Sequence, residues 1–147
     1  MSGTFGHCCS DLSSDPAVAE PLVVGAPDSP PDAEFIQISN GSSVTLKFVN
    51  NKAVNGDGPD IRIYTVDELF PSSATIEVGE GPDCLSTSYV SLGTFADTSD
   101  ADLEISATSL PAVQCVRITD LEIEDEDFPL LGFDLDAGEA LHSVEVP

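Results

Sequence analysis

Oxygen-bearing side chains at close spacing are the most suggestive chemistry in this sequence. Asn55-Gly56-Asp57-Gly58-Pro59-Asp60 sets three side-chain oxygen donors within one hexapeptide, and its glycines permit tight turns. A hard cation such as Ca²⁺ gathers about six to eight oxygens, backbone carbonyls included, so such a loop suits one. The hexapeptide lacks the alternating acids and the closing Glu of an EF-hand, and it has no stacked copies that could form a β-roll. Turn chemistry alone also explains these residues, as an ordinary Gly-Asp connection between strands. A second constellation is Gly132-Phe133-Asp134-Leu135-Asp136-Ala137, followed by Glu139. Period two puts Asp134 and Asp136 on one strand face, opposite Phe133 and Leu135. Neighbouring carboxylates repel unless a positive group lies between them or solvent screens them. A bound calcium ion or a solvent-facing acidic strand would each meet that need.

Other chemistries find less support. His7 and His142 stand at opposite ends of the chain, outside any recognisable triad. His7-Cys8-Cys9 is too tightly spaced for an ordinary zinc site, and no Cys-x-x-Cys occurs. The four cysteines, Cys8, Cys9, Cys84 and Cys115, allow three full pairings. Adjacent cysteines rarely close on each other, so the simplest scheme joins Cys84 to Cys115. Cys8 and Cys9 are then free or paired with another chain. Four cysteines in a short acidic chain favour an oxidising compartment. Met1-Ser2-Gly3 begins no basic-then-apolar stretch, so no signal peptide is visible.

Charge narrows the partners. The 147 residues carry 27 Asp and Glu against 4 Lys and Arg, a formal charge of −23. Lys47, Lys52, Arg62 and Arg117 cannot neutralise a phosphate backbone, so nucleic acid is not expected as a partner. An anionic membrane surface repels such a chain, and no apolar run is long enough to span a bilayer. Metal cations, salt or a basic partner are the natural counterions. A hydrophobic content of 41% is ample for a core, and the length fits one domain.

The elements that must position these residues are short strands. Residues 1–31 are rich in Gly, Ser, Asp and Pro and read as an extended N-terminal arm, with residues 32–147 as the folded domain. Within the domain Val44, Leu46 and Phe48 alternate with polar neighbours, as do Ile61 with Ile63 and Ile76 with Val78. Tyr89 to Leu92, Leu103 to Ile105, Val113 to Ile118 and Phe133 to Leu135 continue the series, and Val144 and Val146 close it. Turn signals lie at Asn40-Gly41, Asn55 to Pro59, Gly81-Pro82-Asp83 and Leu131-Gly132. Asp67-Glu68-Leu69-Phe70 has room for one helical turn before Pro71. Eight or nine strands at this spacing predict an all-β fold, an antiparallel β-sandwich of jelly-roll type.

Taken in order, several segments form a set: Val24 to Asp28, Ser43 to Phe48, Asn55 to Tyr64, Tyr89 to Gly93, Val116 to Asp120 and Gly132 to Ala137. The set resembles secreted or surface-attached bacterial modules related to discoidin and the galactose-binding jelly rolls, over roughly Pro21 to the C-terminus. The resemblance implies a non-catalytic β-sandwich with a structural calcium. Carried onto this sequence, it makes Asp28, Asp57, Asp60, Asp120, Asp134 and Asp136 the candidates for calcium contact. The acidic stretch Leu121 to Leu131, the pair Cys84 and Cys115, and the double cysteine of the arm depart from the pattern.

The expected function is that of an extracellular or cell-surface structural module, calcium-stabilised and not an enzyme. It would assemble with copies of itself through the arm, with Leu22, Val23, Val24, Phe35 and Ile36 as apolar anchors. Intermolecular disulfides at Cys8 and Cys9 would lock a filament. The alternative is a calcium-dependent carbohydrate-binding module. Sparse aromatics, with two Tyr and no Trp, leave Tyr64 and Tyr89 as the sugar-stacking candidates.

Overall fold

Apolar residues at every second position build this molecule, because each such strand has one face to bury. In the computed structural model, residues 5–7, 11–13, 35–39, 41–66, 71–121 and 132–146 are described. They form β1 (Phe5–His7), β2 (Asp11–Ser13), β3 (Ile36–Ser39), β4 (Ser43–Lys47), β5 (Asn51–Ala53) and β6 (Ile61–Thr65). There follow β7 (Ser73–Gly79), β8 (Tyr89–Ala96), β9 (Ala101–Leu103), β10 (Cys115–Asp120), β11 (Gly132–Ala140) and β12 (Ser143–Glu145). Two four-stranded antiparallel sheets, ordered β4-β10-β7-β8 and β3-β11-β6-β9, make an all-β sandwich. Two small pairs, β1-β2 and β12-β5, flank them.

The core is the one that the alternation forecasts. Val44, Ile61, Ile63, Ile76, Val78, Val116, Ile118, Phe133 and Leu135 are fully enclosed. Register explains their convergence: Val116 lies opposite both Leu46 and Val78, and Ile118 opposite both Val44 and Ile76. Burying a side chain of this size stabilises a fold by about 1.5–3 kcal/mol, so these positions dominate its stability.

Several local expectations need correction. Ile105 does not extend a strand: β9 stops at Leu103, and Ile105–Ala107 form a single 3₁₀ turn with Ile105 buried. Gly132 opens β11 instead of turning the chain. Phe35 and Ile36, expected to anchor the arm on a neighbour, are buried in the chain's own domain. Inside the arm, β1 and β2 form an antiparallel hairpin, and β1 lies beside β3 of the same chain. Leu22 to Val24, Asp28, Cys8, Cys9 and the turn expected at Asp67 to Phe70 lie outside the described residues.

The largest correction concerns β11. Its pairing with β6 shifts by one residue between Leu135 and Ala137, a β-bulge at Asp136. The bulge breaks strict period two, so Asp134 and Asp136 do not share a simple outward face. It also carries Gly138 inward, where an added Cβ would meet Leu46, and sets Glu139 opposite Arg62 on the outer face. Asp134 and Asp136 are buried, so β11 is not the solvent-facing acidic strand that composition alone allows.

Candidate functional site

The hexapeptide Asn55 to Asp60 folds into a loop braced by its own last residue. Asp60 is fully buried; the Gly56 N–H donates to its Oδ1 at 2.7 Å, and the Ile105 N–H donates to its Oδ2 at 2.7 Å. These two amides supply the positive ends that a buried carboxylate needs. Asp57 points to solvent, and its carbonyl lies 3.0 Å from His142 Nε2. The imidazole packs so tightly on Gly56 that a Cβ there would sit 2.4 Å from its Cγ. The loop therefore takes its shape from protein contacts.

Asp120 and Asp134 belong to the other end of the sandwich. Gly41 N–H donates to Asp120 Oδ2 at 3.3 Å, tying the β3–β4 turn to β10. Buried Asp97, which the sequence reading missed, accepts from Ser72 N–H at 2.8 Å and from Asp134 N–H at 3.1 Å. Val66 N–H donates to the Asp134 carbonyl, so the whole length of β6 separates Asp134 from Asp60. At about 3.3 Å per residue that is roughly 20 Å, far beyond one coordination sphere. The calcium candidates thus divide between two ends of the fold. Among the described residues, no three His, Cys, Asp or Glu side chains converge where a metal ion could be held. Asp28 lies outside those residues.

The two tyrosines occupy the outer faces of opposite sheets. On one, the Arg62 guanidinium donates to both carboxylate oxygens of Asp102 at 2.6 and 3.0 Å, and Tyr64 O–H donates to Glu139 Oε2 at 2.6 Å. The Glu139 hydrogen bond raises the Tyr64 phenol above its ordinary range, while Arg62 holds Asp102 below the usual carboxylate range. On the other face Arg117 lies 4.0 Å above the centre of the Tyr89 ring and pairs with Glu77 at 2.7 Å. That guanidinium covers one face of the ring and withholds that face from a sugar.

A concave site forms where the β5–β12 pair meets the turn after β7. It is a cleft of about 190 Å³ lined by Lys52, Glu80, Gly81, Pro82, Gln114 and Val146. Its walls are fixed by several bonds. Gln114 N–H donates to the Gly79 carbonyl and Phe48 N–H to the Gln114 carbonyl, while the Gln114 side-chain amide donates to the Phe48 carbonyl at 3.0 Å. With Nε2 committed, Oε1 is the end of the amide beside Gly81, 3.3 Å from where a Cβ would stand. Gly81 adopts φ of 76°, a conformation costly for any residue with a side chain. The Cys84–Cys115 disulfide then pins the far side of the turn to β10, as the simplest pairing scheme predicted. Tyr89 O–H donates to the Cys84 carbonyl at 2.7 Å, and Gly81 N–H to Thr87 Oγ1 at 3.2 Å. Among the described residues, the hollow offers one ammonium, one carboxylate, one buried amide and two apolar walls.

No single motif in the sequence announces this cleft, because its lining comes from four separate stretches. The Gly81-Pro82 turn signal was the one legible part.

Comparison with known proteins places the architecture. No protein-family model and no curated protein matches the chain. Among solved structures, the chain is similar to the carbohydrate-binding module CBM32 of AlyQ in complex with 4,5-unsaturated mannuronic acid. The TM-score is 0.54 at 12% identity, over 97% of this chain and 94% of that one. A truncated AlyQ containing CBM32 and alginate lyase domains matches at TM-score 0.52 and 14% identity; the alignment takes in 99% of this chain and 34% of that one. The fold is a CBM32-like jelly roll. At these identities the likeness concerns the fold alone. Among the described residues, no helix is long and apolar enough to cross a membrane.

Proposed function

We propose that this jelly roll is a non-catalytic carbohydrate-binding module whose ligand sits in the Lys52–Glu80–Gln114 cleft. The observation that carries the reading is a preformed concavity on a fold shared with a module solved in complex with a sugar. The volume, below the roughly 300 Å³ at which drug-sized pockets begin, suits a single ring or a chain end. Lys52 would donate to hydroxyl or ring oxygens, Glu80 would accept from hydroxyls, and Gln114 Oε1 would accept a further hydrogen bond. Pro82 and Val146 supply the apolar surface against which a sugar's C–H face rests. Rigid walls reduce the ordering cost of binding, which favours affinity from few contacts.

Among the described residues the cleft's lining holds a single carboxylate, so the proposed contact requires no calcium. The disulfide and the acidic surface fit an extracellular setting. Cys8 and Cys9, through which self-assembly is expected from the sequence, lie outside the described residues. Affinity electrophoresis in gels cast with soluble polysaccharides is the test. Retardation by at least one glycan, lost in Lys52→Ala but kept in Tyr64→Ala, supports the cleft. Retardation lost only in Tyr64→Ala would move the site to the outer sheet face.

A further inference from the structure

Resting on the carbohydrate-binding reading, we infer that the ligand is a neutral sugar, in contrast to the uronic acid found on the structurally similar module. Three observations carry this. First, the chain has 27 acidic and 4 basic residues, so any anion approaches through a strongly repulsive field. Second, both guanidiniums that could offset this field are already engaged. Arg62 is paired with Asp102 and Arg117 with Glu77. Third, among the described residues the cleft's lining holds one cation, Lys52, and one anion, Glu80, so it offers no net positive charge.

A carboxylate-bearing ring would meet one ammonium and one opposing carboxylate, with nothing to neutralise the next ring of a polymer. A neutral ring loses nothing to this field. Its vicinal hydroxyls match a donor and an acceptor on neighbouring walls: Lys52 donates to one oxygen while Glu80 accepts from the next. Gln114 Oε1, fixed by the Nε2 bond to Phe48, offers a further acceptor in a set orientation.

Matched pairs test the inference with the full chain. β-1,4-Oligomannuronate against β-1,4-oligomannan, and galacturonic acid against galactose, differ at each ring mainly by carboxylate against primary alcohol. Isothermal titration at low and at high sodium chloride reads the difference. The expected result is binding of a neutral member that is insensitive to salt. Its uronate partner should bind at least about tenfold more weakly at low salt and recover part of that loss as salt screens the field. Lys52→Ala and Glu80→Gln should each weaken neutral binding about tenfold or more without changing the thermal midpoint. A uronate that binds more tightly than its neutral partner at low salt overturns the inference while leaving the carbohydrate reading intact. Absence of binding to every glycan, with the folded state verified, overturns both.

Discussion

Replacing Asp60 with Ala should cost this domain about 3–5 kcal/mol. The carboxylate is fully buried and accepts two amide hydrogen bonds of 2.7 Å, from Gly56 within its own loop and from Ile105 forty-five residues along the chain. Truncation leaves two N–H groups without that acceptor, at about 1–3 kcal/mol each for a buried donor. The bonds are charge-assisted, which places the sum toward the upper part of that range. Asp60→Asn keeps one acceptor and turns an amide NH₂ toward the other N–H, so about half the loss should remain. For a domain of this size 1 kcal/mol shifts the thermal midpoint by about 2–4 °C, so the Ala variant should melt roughly 10 °C or more below the parent. Urea denaturation of parent and variants, run in calcium and again in EDTA, separates two roles for this residue. If Asp60 braces the loop through backbone amides, the difference between parent and variant is the same in both media. A loss under about 1 kcal/mol, or a difference that disappears in EDTA because the parent itself falls, would refute the bracing argument and return Asp60 to the calcium candidates.

Two further outcomes follow from the same geometry. Replacing Cys84 and Cys115 together by Ser removes a link closing a separation of 31 residues, worth roughly 3.5 kcal/mol on chain-entropy grounds. Because the link pins the turn that forms one wall of the cleft, glycan affinity should fall in the same variant, and unchanged affinity would show that the wall holds its shape without it. Both tyrosines should ionise above their ordinary value near 10, Tyr64 through its bond to Glu139 and Tyr89 chiefly through burial. The folded state therefore favours the neutral phenols: that contribution is fully present below about pH 10 and is lost as pH rises through the raised values. Absorbance at 295 nm, compared between folded and urea-unfolded protein, reads this directly, and a folded-state tyrosine titrating at its unfolded value would contradict the assigned contacts.

The local alternation of apolar and polar residues sufficed for the architecture. Val44 with Leu46, Ile61 with Ile63, and Ile76 with Val78 each specify a strand and its buried face, since a side chain two residues along always returns to the same side. The Cys84–Cys115 pairing was equally accessible, because adjacent cysteines rarely bond to each other and this narrows the schemes.

What the sequence could not supply was everything that depends on who stands opposite whom. Asp60 reads as one donor in a cation loop until Ile105 is found against it, and Asp97 carries no local signal although it ties Ser72 to β11. The bulge at Asp136 costs nothing in composition, yet one inserted residue reverses the faces of the rest of β11 and delivers Glu139 to Tyr64. Lys52, Glu80, Gln114 and Val146 become neighbours only when β5, β12 and the turn after β7 dock. Periodicity is a property of a few consecutive residues and survives in the linear chain. Register, bulges and clefts are set by pairings between distant strands, and only the assembled sandwich holds that information.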